Sequence, residues 1–143
     1  MKKIAIVVSK FNEDITQALL DGALERLTEL QFDDEHVRIC RVPGAIEIPL
    51  IAKQFALKGE YAAIITLGAV IRGETSHYDY VCDQVARGCM KVSLKFNIPV
   101  IFGVLTTENV EQAQDRVGGA HGHKGRDAVD CAFEMIELMD QLN

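Results

Sequence analysis

The chain has 143 residues, which is enough for one domain with one hydrophobic core, and we predict a single domain over residues 1–143. The chain has 15 lysine and arginine residues and 21 aspartate and glutamate residues, and the net charge of -6 without a basic run argues against nucleic acid and anionic membranes as partners. No apolar run approaches a membrane span, and residues 1–8 lack the core and cleavage site of a signal peptide. We therefore expect a cytoplasmic protein that binds small molecules.

Cysteine and histidine spacing gives no metal-binding pattern. The four cysteines are scattered without a C-x-x-C pair, and we expect them to be buried, reduced side chains. His121 and His123 flank one glycine, but a glycine-rich loop holds ligands loosely and no carboxylate or thiolate nearby completes a set. No metal site is predicted.

Strand-like and helix-like segments alternate from the start of the chain. A strand over residues 4–8 precedes a helix from about Asn12, whose side chain is the predicted N-cap. A second strand over 37–42 stops at Pro43, and a helix over 46–57 follows, with Pro49 in its first turn and Gly59 at its end. The first helix carries an apolar stripe with a period of 3.6 residues, namely Ile15, Ala18, Leu19, Ala23, Leu27 and Leu30.

The second half repeats this alternation. A β-branched strand over 62–67 leads through a turn loosened by Gly68 into a helix over about 78–96, with Thr75 or Ser76 as the cap. A strand over 99–105 and a short helix near 109–116 come next. A glycine-rich loop over 118–125 then leads into a final helix that ends near residue 142.

This alternation predicts parallel βαβ units, and hence an α/β fold: a three-layer αβα sandwich with a four-stranded parallel sheet, flavodoxin-like in type. Parallel strands bring their carboxyl ends to one edge of the sheet, where ligands of open α/β sheets bind. The segments expected at that edge are 9–12, 42–47, 68–77 and 106–109.

The segment 68–77 has the strongest chemical character. Its spacing from Gly68 to Thr75 nearly matches a phosphate-binding P-loop, but Glu74 stands where that loop needs lysine, which excludes an NTPase. His77 is the only histidine at a strand-to-helix junction, so it is either a proton-transfer group or a helix-start residue satisfied by solvent. No Gly-x-Ser-x-Gly elbow surrounds Ser76, which favours acid-base chemistry without a covalent nucleophile.

Other candidate side chains each have two interpretations. Phe11 either plugs the core or presents a face to a planar ligand. Glu47 either stabilises a helix start or binds a ligand. Arg116, Lys124 and Arg126 flank the glycine-rich loop, which either binds a phosphate or is a flexible turn with solvated bases.

Five motifs in order resemble the 6,7-dimethyl-8-ribityllumazine synthase family of riboflavin biosynthesis over residues 4–132. They are FN at 11–12, PGAIEIP at 43–49, GAVIRGETSHYDYV at 68–81, FGVLTTEN at 102–109, and Arg116 with GHKG at 122–125. The resemblance implies condensation of 5-amino-6-(ribitylamino)uracil with 3,4-dihydroxy-2-butanone 4-phosphate, releasing phosphate and water, without a metal or organic cofactor.

On the pyrimidine side, the resemblance implies that Phe11 stacks on the ring and that His77 shuttles protons. Two short segments are expected to meet the rest of that substrate, the first lining its ribityl chain and the second presenting backbone groups to the ring. These segments are Ala45, Ile46 and Glu47, and Ala69, Val70 and Ile71.

On the phosphate side, the resemblance implies that Glu74 and Thr75 offer helix-start N–H groups and that Arg116 forms a charge-assisted pair. Phe102 and Lys124 complete the pocket, which in this family lies between adjacent subunits of a homo-pentamer. Some members assemble pentamers into icosahedral shells. The implied partners are two small-molecule substrates and further copies of the chain, with a riboflavin synthase partner left open.

Two departures from the family pattern bear on subunit contacts. His123 stands where the loop usually has asparagine, and three residues precede Ile4, where many members have an extra strand that joins a neighbour's sheet. Two other classes of function remain open on the same scaffold. One is a flavodoxin-like module that stacks a flavin on Phe11, and the other is a non-catalytic assembly protein.

Overall fold

A four-stranded sheet lies at the centre of the structure, a computed structural model that describes residues 2–143. Its strands are all parallel and run in the order β2-β1-β3-β4. They are β1 (Lys3–Ser9), β2 (Val37–Val42), β3 (Tyr61–Ile71) and β4 (Val100–Thr107). The helices are α1 (Glu13–Glu29), α2 (Ile48–Lys58), α3 (His77–Phe96), α4 (Val110–Gln114) and α5 (Lys124–Leu142). The predicted three-layer α/β architecture is confirmed.

Helices cover both faces of the sheet and divide the core in two. Helices α1 and α5 pack together on one face, and α2 and α3 on the other. Side chains of β3 alternate between the two cores, so that Ile65 and Leu67 point towards α1 and α5 while Ile64 points towards α2 and α3. Burial on both faces explains why this strand reads as an unbroken apolar run.

The sequence prediction for the end of β3 is wrong. Residues 68–71 were expected to form a turn, but they continue the strand and pair with β4 from Gly68 opposite Val104 to Ile71 opposite Thr107. Gly68 is needed for close packing, because a Cβ there would lie 2.9 Å from Ser9 Oγ and 3.3 Å from Ile48 Cδ1. The glycine therefore marks a crowded strand instead of a loosened loop.

Helix starts follow the prediction only in part. Asn109 accepts a hydrogen bond from the backbone N–H of Gln112 at 2.8 Å and caps α4. At the start of α3, Thr75 Oγ1 accepts from the His77 N–H at 3.3 Å, while Ser76 occupies the cap position without a side-chain hydrogen bond. Pro49 lies in the first turn of α2 and Gly59, with φ of 69°, ends it as predicted. A 3₁₀ turn, Ala45–Glu47, precedes α2.

Asn12 does not cap α1, contrary to the prediction. Its backbone is left-handed, with φ of 62° and ψ of 52°, and its side chain makes no cap hydrogen bond. The amide Nδ2 instead donates to the carbonyl oxygen of Ala69 at 3.0 Å. Asn12 thus ties the loop after β1 to the end of β3, which asparagine can do because it tolerates left-handed backbone.

The glycine-rich loop is an ordered hairpin. Its strands are β5 (Val117–Gly119) and β6 (Gly122–His123), and they pair antiparallel. His123 Nδ1 accepts from the backbone N–H groups of Gly125 at 3.1 Å and Arg126 at 3.4 Å, which caps α5. Its imidazole packs so closely on α1 that a Cβ at Gly22 would overlap it. His123 therefore supplies the acceptor that asparagine supplies at other helix starts.

The cysteines and the helix lengths can also be compared with the structure. Cys89 is buried, and its burial raises the pKa of the thiol to about 11. Cys40 and Cys82 are half-buried, but Cys131 is exposed, so the prediction of four buried cysteines is wrong at that position. Within residues 2–143, no helix is both long and apolar enough to span a bilayer.

Replacing His123 by alanine should lower the free energy of unfolding by about 0.5–2 kcal/mol, because α5 loses its side-chain cap. His123→Asn should retain most of the stability. Urea titration followed by circular dichroism, at one protein concentration, measures the effect. His121→Ala is the matched control, since His121 is exposed in the same hairpin, and it should leave stability unchanged. Equal unfolding midpoints for wild type and His123→Ala would contradict the capping role.

Asn12 allows the hydrogen bond and the backbone conformation to be separated. Asn12→Ala should cost about 2 kcal/mol, because it loses one hydrogen bond and places alanine in left-handed backbone. Asn12→Gly loses only the hydrogen bond and should cost about 1 kcal/mol. The same urea titration compares the two variants, and an alanine variant as stable as the glycine variant would show that the backbone conformation carries no cost.

Candidate functional site

A cavity of about 460 Å³ opens at the carboxyl edge of the sheet. It lies among the loop after β1, the 3₁₀ turn Ala45–Glu47, the end of β3 and the start of α3. Eight of the predicted site residues line it: Phe11, Ala45, Ile46, Ala69, Val70, Ile71, Thr75 and His77. The structure thus brings together most of the pyrimidine side of the predicted site.

Phe11 presents its ring to the cavity. It is 72% exposed, so the alternative that it plugs the core is wrong. Its backbone N–H donates to the Pro43 carbonyl at 3.1 Å, which fixes the loop after β1 against the loop after β2. Ile46, 47% exposed, lines the same cavity. An exposed aromatic ring on a tethered loop can stack on a planar ligand.

Residues 69–71 present backbone groups because the pairing of β3 with β1 stops before its pairing with β4. Pairing with β1 ends at Leu67, opposite Val8, whereas pairing with β4 continues to Ile71. The backbone of this segment therefore lies outside the ladder on the β1 side, and Asn12 occupies one of its carbonyls, that of Ala69. Polar backbone groups beside an apolar cavity are the usual means of orienting a heterocycle.

His77 is the first residue of α3 and is exposed at the cavity. No side chain among residues 2–143 forms a hydrogen bond with its ring. The imidazole is therefore open to a bound molecule and can exchange protons with it.

Glu47 and Glu74 do not line the cavity. Glu47 Oε1 accepts from the Gly44 N–H at 2.8 Å, which closes the turn before α2, so its structural interpretation is confirmed. The Glu47 side chain is exposed. Glu74 is exposed in the loop before α3.

Arg72 is a residue at this edge that the sequence analysis missed. Its Nε donates to Glu108 Oε2 at 2.6 Å and its Nη2 to Asp79 Oδ1 at 3.2 Å. Its guanidinium lies 4.3 Å from the centre of the Tyr78 ring, and Tyr78 lines the cavity. The hydrogen bonds to Asp79 and Glu108 raise the pKa of Arg72, and burial raises that of Tyr78. The sequence feature that could have identified Arg72 is its position between two segments that line the cavity.

Phe102, Arg116 and Lys124 lie away from this cavity, along the edge strand β4. A depression of about 420 Å³ is lined by Arg116, His121 and Lys124, and a groove of about 470 Å³ by Phe102, Lys124 and Cys131. Arg116 is half-buried and its Nη1 donates to the Gln112 carbonyl at 2.7 Å. One chain therefore does not unite the two halves of the predicted site.

The predicted anion-binding features of the hairpin need correction. His123 takes the N–H groups of Gly125 and Arg126, so they are not free for an anion. Arg126 pairs with Glu25 at 2.8 Å and Glu29 at 2.7 Å, joining α5 to α1. The cations left beside the depression are the side chains of Arg116 and Lys124.

The remaining features are a second cavity and the spacing of possible metal ligands. A cavity of about 510 Å³ lies at the opposite, amino end of the sheet, between Tyr61, Phe96 and Phe133, and none of the predicted site residues line it. Within residues 2–143, no three histidine, cysteine or carboxylate side chains lie close enough together to hold a metal ion.

Comparison with known proteins identifies the family of the chain. A family model described as 6,7-dimethyl-8-ribityllumazine synthase matches residues 1–140. The enzyme of that name from Protochlamydia amoebophila (strain UWE25) is 55% identical over 141 residues, which cover 99% of this chain and 82% of the relative. The one from Coxiella burnetii (strain Dugway 5J108-111) is 54% identical over 140 residues, covering 98% and 93%. The chain belongs to the 6,7-dimethyl-8-ribityllumazine synthase family.

Proposed function

We propose that this chain is the transferase that condenses 5-amino-6-(D-ribitylamino)uracil with 3,4-dihydroxy-2-butanone 4-phosphate to give 6,7-dimethyl-8-ribityllumazine, the penultimate step of riboflavin biosynthesis. The observation that carries the proposal is the cavity at the carboxyl edge, where Phe11 and His77 lie together in a chain 55% identical to an enzyme of this name. We further propose that residues 1–143 act as one domain in the cytoplasm.

The reaction needs proton transfers, an anion site and close placement of two substrates. An amine attacks a ketone, water and phosphate leave, and the second ring closes. Holding both substrates in one pocket supplies much of the acceleration, and a positioned acid-base group supplies more. A covalent nucleophile is unnecessary, and the proposal includes neither a cofactor nor a metal.

The pyrimidine occupies the cavity in this proposal. Phe11 stacks on the ring, the backbone of residues 69–71 hydrogen-bonds its edge, and His77 moves protons between the reacting groups. The ribityl chain runs along Ala45 and Ile46. Glu47 binds a ribityl hydroxyl through its second oxygen, because its first holds the Gly44 N–H.

The phosphate of the second substrate lies at the start of α3. This helix has 20 residues, and its first N–H groups favour an anion. Glu74 contributes through its backbone, and Thr75 through its backbone N–H. Arg116 and Lys124 add positive charge, and Phe102 closes the pocket, from an adjacent subunit.

The placement of these three residues supports a shared site. They lie along β4, at one edge of the sheet, while the Phe11 cavity lies at the ends of β1 and β3. Contact between two different surfaces of identical chains repeats into a ring when the rotation closes. We propose a homo-pentamer, as the family resemblance implies, with assembly into larger shells and a riboflavin synthase partner left open.

Exposed apolar side chains on the α2 and α3 face support assembly independently. Leu50 is 63% exposed, Met90 59% and Leu94 71%. Helices α2 and α3 pack together, and apolar side chains exposed on them suit contact with another copy of the chain.

The decisive experiment mixes the protein with both substrates after exhaustive chelation and follows lumazine absorbance together with phosphate release. Both signals should rise in a fixed proportion. A flavin-binding module or a non-catalytic assembly protein would produce neither signal. Activity that returns only when one metal ion is added back would contradict the proposal that no metal takes part.

His77→Ala should lower kcat by about 10²–10⁴-fold, the usual contribution of general acid-base catalysis, while residual turnover persists through proximity. Binding of the pyrimidine should change little. Steady-state kinetics and pyrimidine titration of the folded variant measure the two effects. An unchanged kcat across the neutral pH range would remove His77 from this role.

Arg116→Ala should weaken saturation by the butanone phosphate about tenfold to a hundredfold, because a charge-assisted contact is lost. Pyrimidine binding should stay nearly unchanged, and Arg116→Lys should recover only part of the loss, since lysine lacks the planar fork. Separate titration of each substrate tests this. A defect confined to the pyrimidine would refute the assignment.

A site shared between subunits predicts complementation. Phe11→Ala and Arg116→Ala chains, unfolded together and reassembled at equal amounts, should regain about one quarter of the wild-type sites, because each site needs an intact residue from both sides. The control replaces one partner by the double variant, which cannot rebuild a site with Arg116→Ala chains. Light scattering reports the assembly, and a fully active monomer would contradict the proposal.

A further inference from the structure

Arg72 joins three structural elements at the mouth of the cavity. Its backbone N–H donates to the Thr107 carbonyl at 2.9 Å, which extends the pairing of β3 with β4 by one residue. Its side chain reaches Glu108, just after β4, at 2.6 Å, and Asp79, in the first turn of α3, at 3.2 Å. The end of β3, the end of β4 and the start of α3 thus meet at one guanidinium.

The same side chain packs on the wall of the cavity. Its guanidinium stacks on the ring of Tyr78 at 4.3 Å, and Tyr78 lines the cavity directly after His77 in the chain. The planar guanidinium of arginine can pair with carboxylates and stack on an aromatic face at once, which a lysine ammonium cannot do in the same way.

The hydrogen bond from Arg72 to Asp79 closes the segment that carries Thr75 and His77. Residues 73–78 lie between Arg72 and Asp79, and the hydrogen bond from the His77 N–H to Thr75 Oγ1 lies within this segment. The position of His77 relative to the cavity therefore depends on how the start of α3 is held against the two strand ends. Arg72 links this helix start to Glu108, just after β4, through its hydrogen bonds to Asp79 and Glu108.

The ion pairs of Arg72 should affect the rate of the reaction more than the free energy of unfolding. The Arg72 side chain is 37% exposed, and exposed ion pairs contribute little to folding. A displacement of about 1 Å in a catalytic group can nevertheless cost about a hundredfold in rate. The loss of Arg72 should therefore affect turnover far more than unfolding.

We propose that Arg72 is a positioning residue for this reaction: its fork to Asp79 and Glu108 and its stacking on Tyr78 hold the start of α3 so that His77 faces the bound substrates. The inference rests on the proposed function. It adds a role for a residue that does not itself line the cavity.

Arg72→Met should lower kcat about tenfold to a hundredfold with a smaller change in the KM for the pyrimidine, while the urea midpoint stays close to that of wild type. Arg72→Lys should recover part of the loss. The matched control is Arg26→Met, because Arg26 lies on α1 and also donates through Nε to one carboxylate, that of Asp130 at 2.7 Å, and through Nη1 to a second, that of Glu29 at 3.0 Å, without lining the cavity. Its kcat should equal that of wild type.

A double-mutant cycle with His77→Ala tests whether the loss of kcat in Arg72→Met arises through His77. If Arg72 acts through His77, adding Arg72→Met to His77→Ala should lower kcat by less than about threefold. Losses that multiply would overturn the proposal, since they would show that Arg72 acts independently of His77. A general structural defect would not produce this specific non-additivity.

Two further readouts keep the test decisive. If Arg72→Met does not fold, Asp79→Asn and Glu108→Gln remove the partners one at a time, and each should lower kcat with the same non-additivity towards His77→Ala. Wild-type protein that forms no lumazine would refute the proposed function. Active wild type with an unaltered Arg72→Met variant would refute this inference alone.

Discussion

The cavity exists because β3 continues beyond the end of its pairing with β1. Its pairing with β1 stops at Leu67, while its pairing with β4 continues to Ile71. Each parallel ladder satisfies backbone groups only where both strands are present, so the stagger leaves one side of the segment 69–71 outside the ladder. The loop after β1 folds over this gap and is held there by Asn12. The Phe11 side chain and the start of α3 complete the cavity around it.

The same sheet also explains why the predicted site is divided. Strand β4 is an edge strand, and the depressions beside it carry Phe102, Arg116 and Lys124. This unpaired sheet edge, with charged and apolar side chains beside it, is where we propose that another copy of the chain binds. A reaction with two substrates gains from such a division, because each surface can be specialised for one of them.

The start of α5 is capped and supported by side chains close to it. His123, where the resemblance leads us to expect asparagine, provides an acceptor for the first N–H groups of α5, and Gly22 leaves space for its ring. Arg126 and Glu29 join α5 to α1, and the resulting hydrogen bonds lower the pKa of Glu29. The start of α5, which carries Lys124, is therefore supported from α1, the helix that packs against it.

The sequence by itself determined the α/β class, the four parallel strands and the segments at their carboxyl ends, because apolar periodicity reports burial and parallel connections restrict topology. It also predicted Phe11 and His77 as site residues, and both line the cavity. Only the tertiary structure decided that Gly68 continues β3, that Asn12 reaches Ala69 and that Arg72 joins three elements. These features depend on contacts between residues 36 or 57 positions apart, or on strand lengths set by a neighbour, and local propensity contains no information about either.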